Sequence, residues 1–296
     1  MLPILLLLAA GLTEESKKRF EYDARVPLNA THQLLWEREG VQLFDVTYDS
    51  PRGGKVTAFV VAPSKKGPRG MGVVFGHWGP GDRAEFLPEA RALAKRGAVS
   101  ILIDYPWKRP APWYADADDI SETDKAIELQ AQAVVDLRRA MDLLAAREDV
   151  DPERLGYVGH SYGAQFGGIL AAIDKRLKAA VLMGGIPDME AIALEGKGPA
   201  LDNFREKQKE QIPVALKKLR ATAAVEFVPH AAPVRLLFQF ARHERDFAQP
   251  AMERYFQAAS EPKSVLWYDT GHELNDPQAL ADRTQWLVRA LRMKGR

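Results

Sequence analysis

The sequence predicts an α/β fold, a mainly parallel sheet with helices on both faces, and three observations carry that prediction. From residue 71 onward short apolar runs alternate with helical patterns, which is the arrangement that produces parallel strands joined by crossover helices. Residues 154–173, RLGYVGHSYGAQFGGILAAI, read as a strand, a sharp turn and a helix in direct succession. The chain has 296 residues, 46% of them hydrophobic, enough to bury one large core.

The elements follow in chain order. Residues 2–12, LPILLLLAAGL, form an apolar run that ends in small residues. It is expected to be a signal peptide (residues 1–12), although it has no Lys or Arg before it. It is too short for an integral membrane anchor. Export to the periplasm or the medium is therefore expected, with a cytoplasmic protein as the alternative. Residues 20–40 read as irregular. Runs at 41–48 and 55–62 flank the turn-forming cluster DSPRGG at 49–54 and predict an antiparallel hairpin at one edge of the sheet.

Strands are expected at 71–75, 99–103, 155–158, 179–183, 234–240 and 265–268. Helices are expected at 84–97, 123–147 and 161–173. In the second helix Ile127, Gln130, Val134, Leu137, Met141 and Leu144 recur at three- and four-residue steps, so one stripe faces the core. Two regions break the alternation. Residues 105–119 hold three prolines and four aromatic residues just past the end of a strand, the edge where open α/β sheets bind ligands. Residues 186–232 form a long connection with a charged helix at 203–220, expected to be a small cap. One domain is expected over 20–296.

Composition excludes several chemistries. The formal net charge is +1 and no block of like charge occurs, so no nucleic-acid partner is expected. There is no cysteine, which removes disulfides, thiolate metal sites and a cysteine nucleophile. No cofactor and no metal are expected, and the oligomeric state is not readable.

The chemistry centres on Gly159-His160-Ser161-Tyr162-Gly163. A G-x-S-x-G turn between strand and helix pushes the serine out at the top of a sheet, beside a helix N-terminus that favours negative charge. A serine hydroxyl becomes a nucleophile only when an oriented base takes its proton. Chain order then places an acid and a histidine after the serine. The strand at 234–240 leads into Arg242-His243-Glu244-Arg245-Asp246, and that at 265–268 leads into Asp269-Thr270-Gly271-His272. His272 is the expected base. Asp246 is the expected acid, with Glu244 and Asp269 as loop or surface residues.

An oxyanion hole needs two N–H donors. The Tyr162 amide is one. The other is expected from the loop His77-Trp78-Gly79-Pro80-Gly81, from Gly79 first and Trp78 second, since Pro80 has no N–H. His77, Tyr105, Trp107 and Trp113 are the expected substrate contacts.

Together these segments resemble the α/β-hydrolase family, in particular its dienelactone hydrolase-like branch of serine esterases. The resemblance runs from residue 41 to the C-terminus through GHWGPG, VDPERLGYVGHSYGA, PVRLLFQFARHERDFAQP and YDTGHELND. It implies a sheet of about eight strands, a Ser-Asp-His triad without a metal, and hydrolysis of small-molecule carboxylic esters through an acyl-enzyme. Two departures stand out: dienelactone hydrolases proper use a cysteine nucleophile, and the usual His-Gly pair of the oxyanion loop is here His77-Trp78. Thioesterase, acetylxylan esterase-type deacylase and oligopeptidase activities remain open on the same triad, as does a non-catalytic binding protein.

Overall fold

A computed structural model describes residues 12–65, 67–116, 122–196 and 199–292. The expected signal peptide, apart from Leu12, lies outside the described residues. Among the described residues no helix is long and apolar enough to cross a membrane.

Among the described residues nine strands form one sheet in the order β1-β2-β3-β5-β4-β6-β7-β8-β9. They are β1 Thr31–Arg38, β2 Val41–Asp49, β3 Lys55–Pro63, β4 Gly70–Gly76, β5 Val99–Ile103, β6 Val150–His160, β7 Leu177–Met183, β8 Arg235–Ala241 and β9 Lys263–Tyr268. The pairs β1–β2, β2–β3 and β3–β5 are antiparallel, and β4 to β9 are parallel. The hydrophobic runs explain the parallel part: all five residues of β5 are buried, as expected of strands covered on both faces.

β1 corrects the irregular reading of residues 20–40 and moves the β2–β3 hairpin one place in from the edge. Its residues are almost all exposed, so it lacks the apolar alternation that announces a strand. Its signal is the two-residue turn Glu39-Gly40, at φ 52° and 75°. Both turn residues are left-handed, as a tight hairpin of matching twist requires.

The helices are α1 Glu14–Lys18, α2 Leu87–Ala94, α3 Thr123–Ala145, α4 Tyr162–Ile173, α5 Met189–Ala193, α6 Pro199–Lys207, α7 Ile212–Leu219, α8 Ala224–Phe227, α9 Gln249–Ala258 and α10 Pro277–Arg292. Two apolar clusters fill the faces of the sheet. One packs α3, α4, α8 and α9 on one face, and the other packs α2 and α10 on the opposite face. The expected stripe of α3 is buried throughout, from Ile127 to Leu144. Its burial extends beyond that stripe because the N-terminal segment lies over it: Tyr22 donates to Asp142, and Arg138 donates to the carbonyl of Phe20.

The connection at 186–232 carries α5 to α8. The single charged helix expected at 203–220 is two helices, because Pro213 sits in the first turn of α7. A proline tolerated there would remove a hydrogen bond and clash with the preceding turn inside a longer helix.

Candidate active site

The first parallel strand, β4, passes the chain to β5 on one side and to β6 on the other. Its C-terminal end therefore lies at the crevice where open α/β sheets hold ligands. The loop after β4 and the turn after β6 meet there. Gly163 makes that meeting possible, since a Cβ on it would lie 2.2 Å from the carbonyl oxygen of Gly76. A Cβ on Gly159 would lie 2.3 Å from the carbonyl oxygen of Gly163. Only glycine fits either place.

Between them Ser161 has φ 55° and ψ −111°, a positive-φ conformation that costs a non-glycine residue about 1–3 kcal/mol. It is held there by its own N–H, which donates to Met183 O at 2.8 Å, and by its carbonyl, which accepts from Gln165 N at 3.0 Å. Strain at a buried turn, restrained from both sides, is what keeps the side chain at the end of α4.

His272 comes to the same place from the loop after β9. Its Cε1 lies 3.4 Å from the Cβ position of Gly184, the residue that follows Met183. Its Nδ1 is 2.7 Å from Oε2 of Glu244, whose side chain is 2% exposed. The other carboxylate oxygen of Glu244 accepts the N–H groups of Arg245 and Asp246, each at 2.9 Å. The sequence reading expected Asp246 in this place. Instead the Asp246 side chain is 59% exposed and lies 3.8 Å from Nε2, on the other edge of the imidazole.

The physical reason is reach. Glu244 stands three residues past the end of β8, and its longer side chain is held by the Arg245 and Asp246 amides with its other oxygen on His272. Burial of His272 lowers the imidazole pKa, but the Glu244 hydrogen bond and charge, followed by the charges of Asp246 and Glu273, outweigh it. The net direction is above the ordinary histidine value.

The remaining expected residues divide. Trp78 N–H donates to Glu85 Oε2 at 2.8 Å, so that amide is engaged. Gly79 lies against Tyr162: its Cβ position is 3.0 Å from Tyr162 Cδ2, and its carbonyl accepts from Trp107 Nε1 at 3.1 Å. The structure therefore brings Gly79, Tyr162 and Ser161 together.

His77 and Tyr105 are both buried. His77 is 2% exposed and Tyr105 is fully buried, with their rings 4.1 Å apart. The Tyr105 N–H donates to His77 Nε2 at 3.2 Å, and His77 Nδ1 donates to the Trp78 carbonyl at 2.5 Å. Burial pushes His77 down to about 4 despite that last bond, so the ring is a neutral tie between two loops. Trp107 packs against the Tyr162 ring at 6.0 Å, and Trp113 packs against Gly54 in the β2–β3 turn.

One pair was missed from the sequence. His160 Nδ1 lies 2.7 Å from Glu85 Oε1, and its Nε2 lies 2.8 Å from the carbonyl oxygen of His272. The ring thus bridges the Glu85 carboxylate and the His272 carbonyl. Glu85 thereby joins the Trp78 amide to the His272 loop through His160. The only sequence signal was the polar residue beside the serine, which pattern reading passes over.

Glu244, Asp246 and His272 also place one possible ligand atom each within 4.8 Å of one another. Glu244 and His272 already satisfy each other at hydrogen-bond distance, which leaves Asp246 as the one member turned to solvent. The grouping is therefore better suited to orienting a histidine than to holding an ion.

No protein-family model matches the sequence, and no curated protein matches it. Solved structures do. An acetyl xylan esterase from Paenibacillus sp. R4 superposes with a TM-score of 0.76 at 20% identity, over 93% of this chain and 92% of that one. Acetyl xylan esterase 1 from Thermoanaerobacterium sp. JW/SL YS485 gives 0.77 at 12% identity, over 93% and 91%. A cold-adapted esterase from an Arctic intertidal metagenomic library gives 0.62 at 20% identity, over 90% and 99%. With these likenesses, the strand order and the strained serine turn in agreement, the chain has the α/β-hydrolase fold.

Proposed function

We propose that this protein is a serine hydrolase that cleaves carboxylic esters of small molecules through an acyl-enzyme, with Ser161, His272 and Glu244 as its triad. The observation that carries this reading is the 2.7 Å contact of buried Glu244 with His272 Nδ1, beside a serine held in a strained turn. A carboxylate on Nδ1 fixes the proton there and leaves Nε2 as the base.

His272 Nε2 takes the Ser161 proton as Oγ attacks the acyl carbon, and the carbonyl π electrons move to oxygen. The Tyr162 and Gly79 amides are the donors for that oxyanion. His272 then gives the proton to the leaving alkoxide as the acyl C–O bond breaks. Water, deprotonated by the same nitrogen, attacks the acyl-enzyme, and the proton returns to Ser161 as the acid leaves. That solved structures of similar fold include esterases supports the reaction class. In the same reading residues 20–296 work as one hydrolase domain, with 186–232 as its cap.

The test is labelling with a fluorophosphonate probe together with turnover of p-nitrophenyl acetate, in the natural chain and in Ser161→Ala. Stoichiometric labelling that maps to Ser161, and loss of both signals in the variant, is the expected outcome. Turnover retained in a folded Ser161→Ala chain would refute the assignment.

A further inference from the structure

Next to the serine turn, α3, α4 and the cap helices α5 to α7 line a solvent-open cavity of about 240 Å³. Its walls include Tyr162, Met189, Ile192, Phe204, Leu216 and Leu219, and among the described residues no charged side chain lines it. Of its polar residues, Gln130 is engaged elsewhere, accepting from the Thr222 hydroxyl at 2.7 Å. Tyr162 links this space to the reaction centre. Its amide is the donor proposed for the oxyanion, and its ring, with the hydroxyl 3.7 Å from Met189 Sδ, forms part of the cavity wall.

We infer that this cavity is the acyl-binding subsite and that it selects esters of unbranched apolar acids of about six to eight carbons. The inference rests on the esterase reading above and names the substrate class for it. An acyl carbon bonded to Ser161 with its oxygen on the Tyr162 amide lies one residue from the Tyr162 ring, so a chain leaving that carbon can follow the ring inward. At about 30 Å³ per atom group, the volume share of a water molecule, the cavity holds about eight heavy atoms. An acetyl group leaves most of it empty. A mostly apolar wall favours an apolar acyl chain, whereas a charged acyl group would be buried there without an ionic partner.

The experiment measures kcat/KM for p-nitrophenyl esters from acetate to decanoate. It uses the natural chain and two variants that fill the cavity from α5 and α7, Ala193→Phe and Ala215→Leu, both at buried positions of its wall. The expected profile rises about fourfold per methylene to a maximum near the hexanoate or octanoate, then falls. The filled variants are expected to lose at least about tenfold on octanoate and to stay within about twofold on acetate, with Ser161 labelling intact; Ala215→Val replaces either variant that does not fold. A natural-chain profile that falls from acetate onward, or an equal loss at every chain length in variants that still label, overturns the inference and leaves the esterase reading standing. No labelling and no turnover of any ester overturns the esterase reading, and the inference with it.

Discussion

Replacing Glu244 by glutamine isolates the least expected part of the site. The glutamine keeps the shape of the native side chain, and its carbonyl can still accept the Arg245 and Asp246 amides that now bond Oε1. Its NH2 group would then face His272 Nδ1 across the 2.7 Å contact. Two donors cannot share that contact, so the ring turns to the tautomer with its proton on Nε2, which cannot take a proton from Ser161. Losing a hydrogen bond to a charged group costs about 1.5–3 kcal/mol. At tenfold per about 1.4 kcal/mol that alone slows the reaction about 10- to 150-fold. The wrong tautomer takes the expected loss to about 10³–10⁴ in kcat.

Asp246→Asn removes a charge that is 59% exposed and 3.8 Å from Nε2, where solvent screens it, so its rate is expected within about threefold of the natural chain. The assay is ester turnover from about pH 5 to about pH 9, the range in which histidine titrates. The raised His272 pKa places the acid limb of the natural profile above the ordinary histidine value, because the base works only when neutral. Glu244→Gln removes the largest upward influence on that pKa, so its residual activity should show an acid limb displaced to lower pH. A larger loss in Asp246→Asn than in Glu244→Gln would refute this reasoning and return the acid to Asp246.

Two further outcomes follow from neighbouring contacts. Glu85→Gln replaces the acceptor of His160 Nδ1 and weakens the tie between the Trp78 amide and the His272 loop. Its kcat for acetate esters should fall about tenfold, the size of one charged hydrogen bond, with the pH profile displaced and KM little changed; an unaltered profile would make the pair purely structural. Gly163→Ala puts a methyl 2.2 Å from Gly76 O, backbone against backbone. Melting should fall by at least about 3 °C, the effect of roughly 1–3 kcal/mol of overpacking, whereas Gly67→Ala, which meets open space, should melt like the natural chain.

The sequence by itself determined the six parallel strands, the serine turn and the histidine loop. These are local: an apolar run long enough to be buried on both faces, and a turn whose glycines leave no room for a side chain, are written in consecutive residues. β1 escaped because an exposed edge strand needs no apolar alternation, and its turn, Glu39-Gly40, is a weak signal. The helix expected at 203–220 runs across Pro213, which instead sits in the first turn of α7.

The site shows where local reasoning stops. Chain order brought an acid to the loop after β8, yet Glu244 and Asp246 stand two residues apart on it, and no spacing rule separates them. Only the tertiary structure separates them, because burial and the Arg245 and Asp246 amides hold Glu244 at Nδ1 while Asp246 faces solvent. The same holds for His77, which looks like a binding residue on a loop but spends both ring nitrogens on the Trp78 carbonyl and the Tyr105 amide, tying that loop to its neighbour. Which side of a loop faces the core depends on what packs beneath it, and those partners lie 28 residues away for Glu244 and His272 and 112 for His160 and His272.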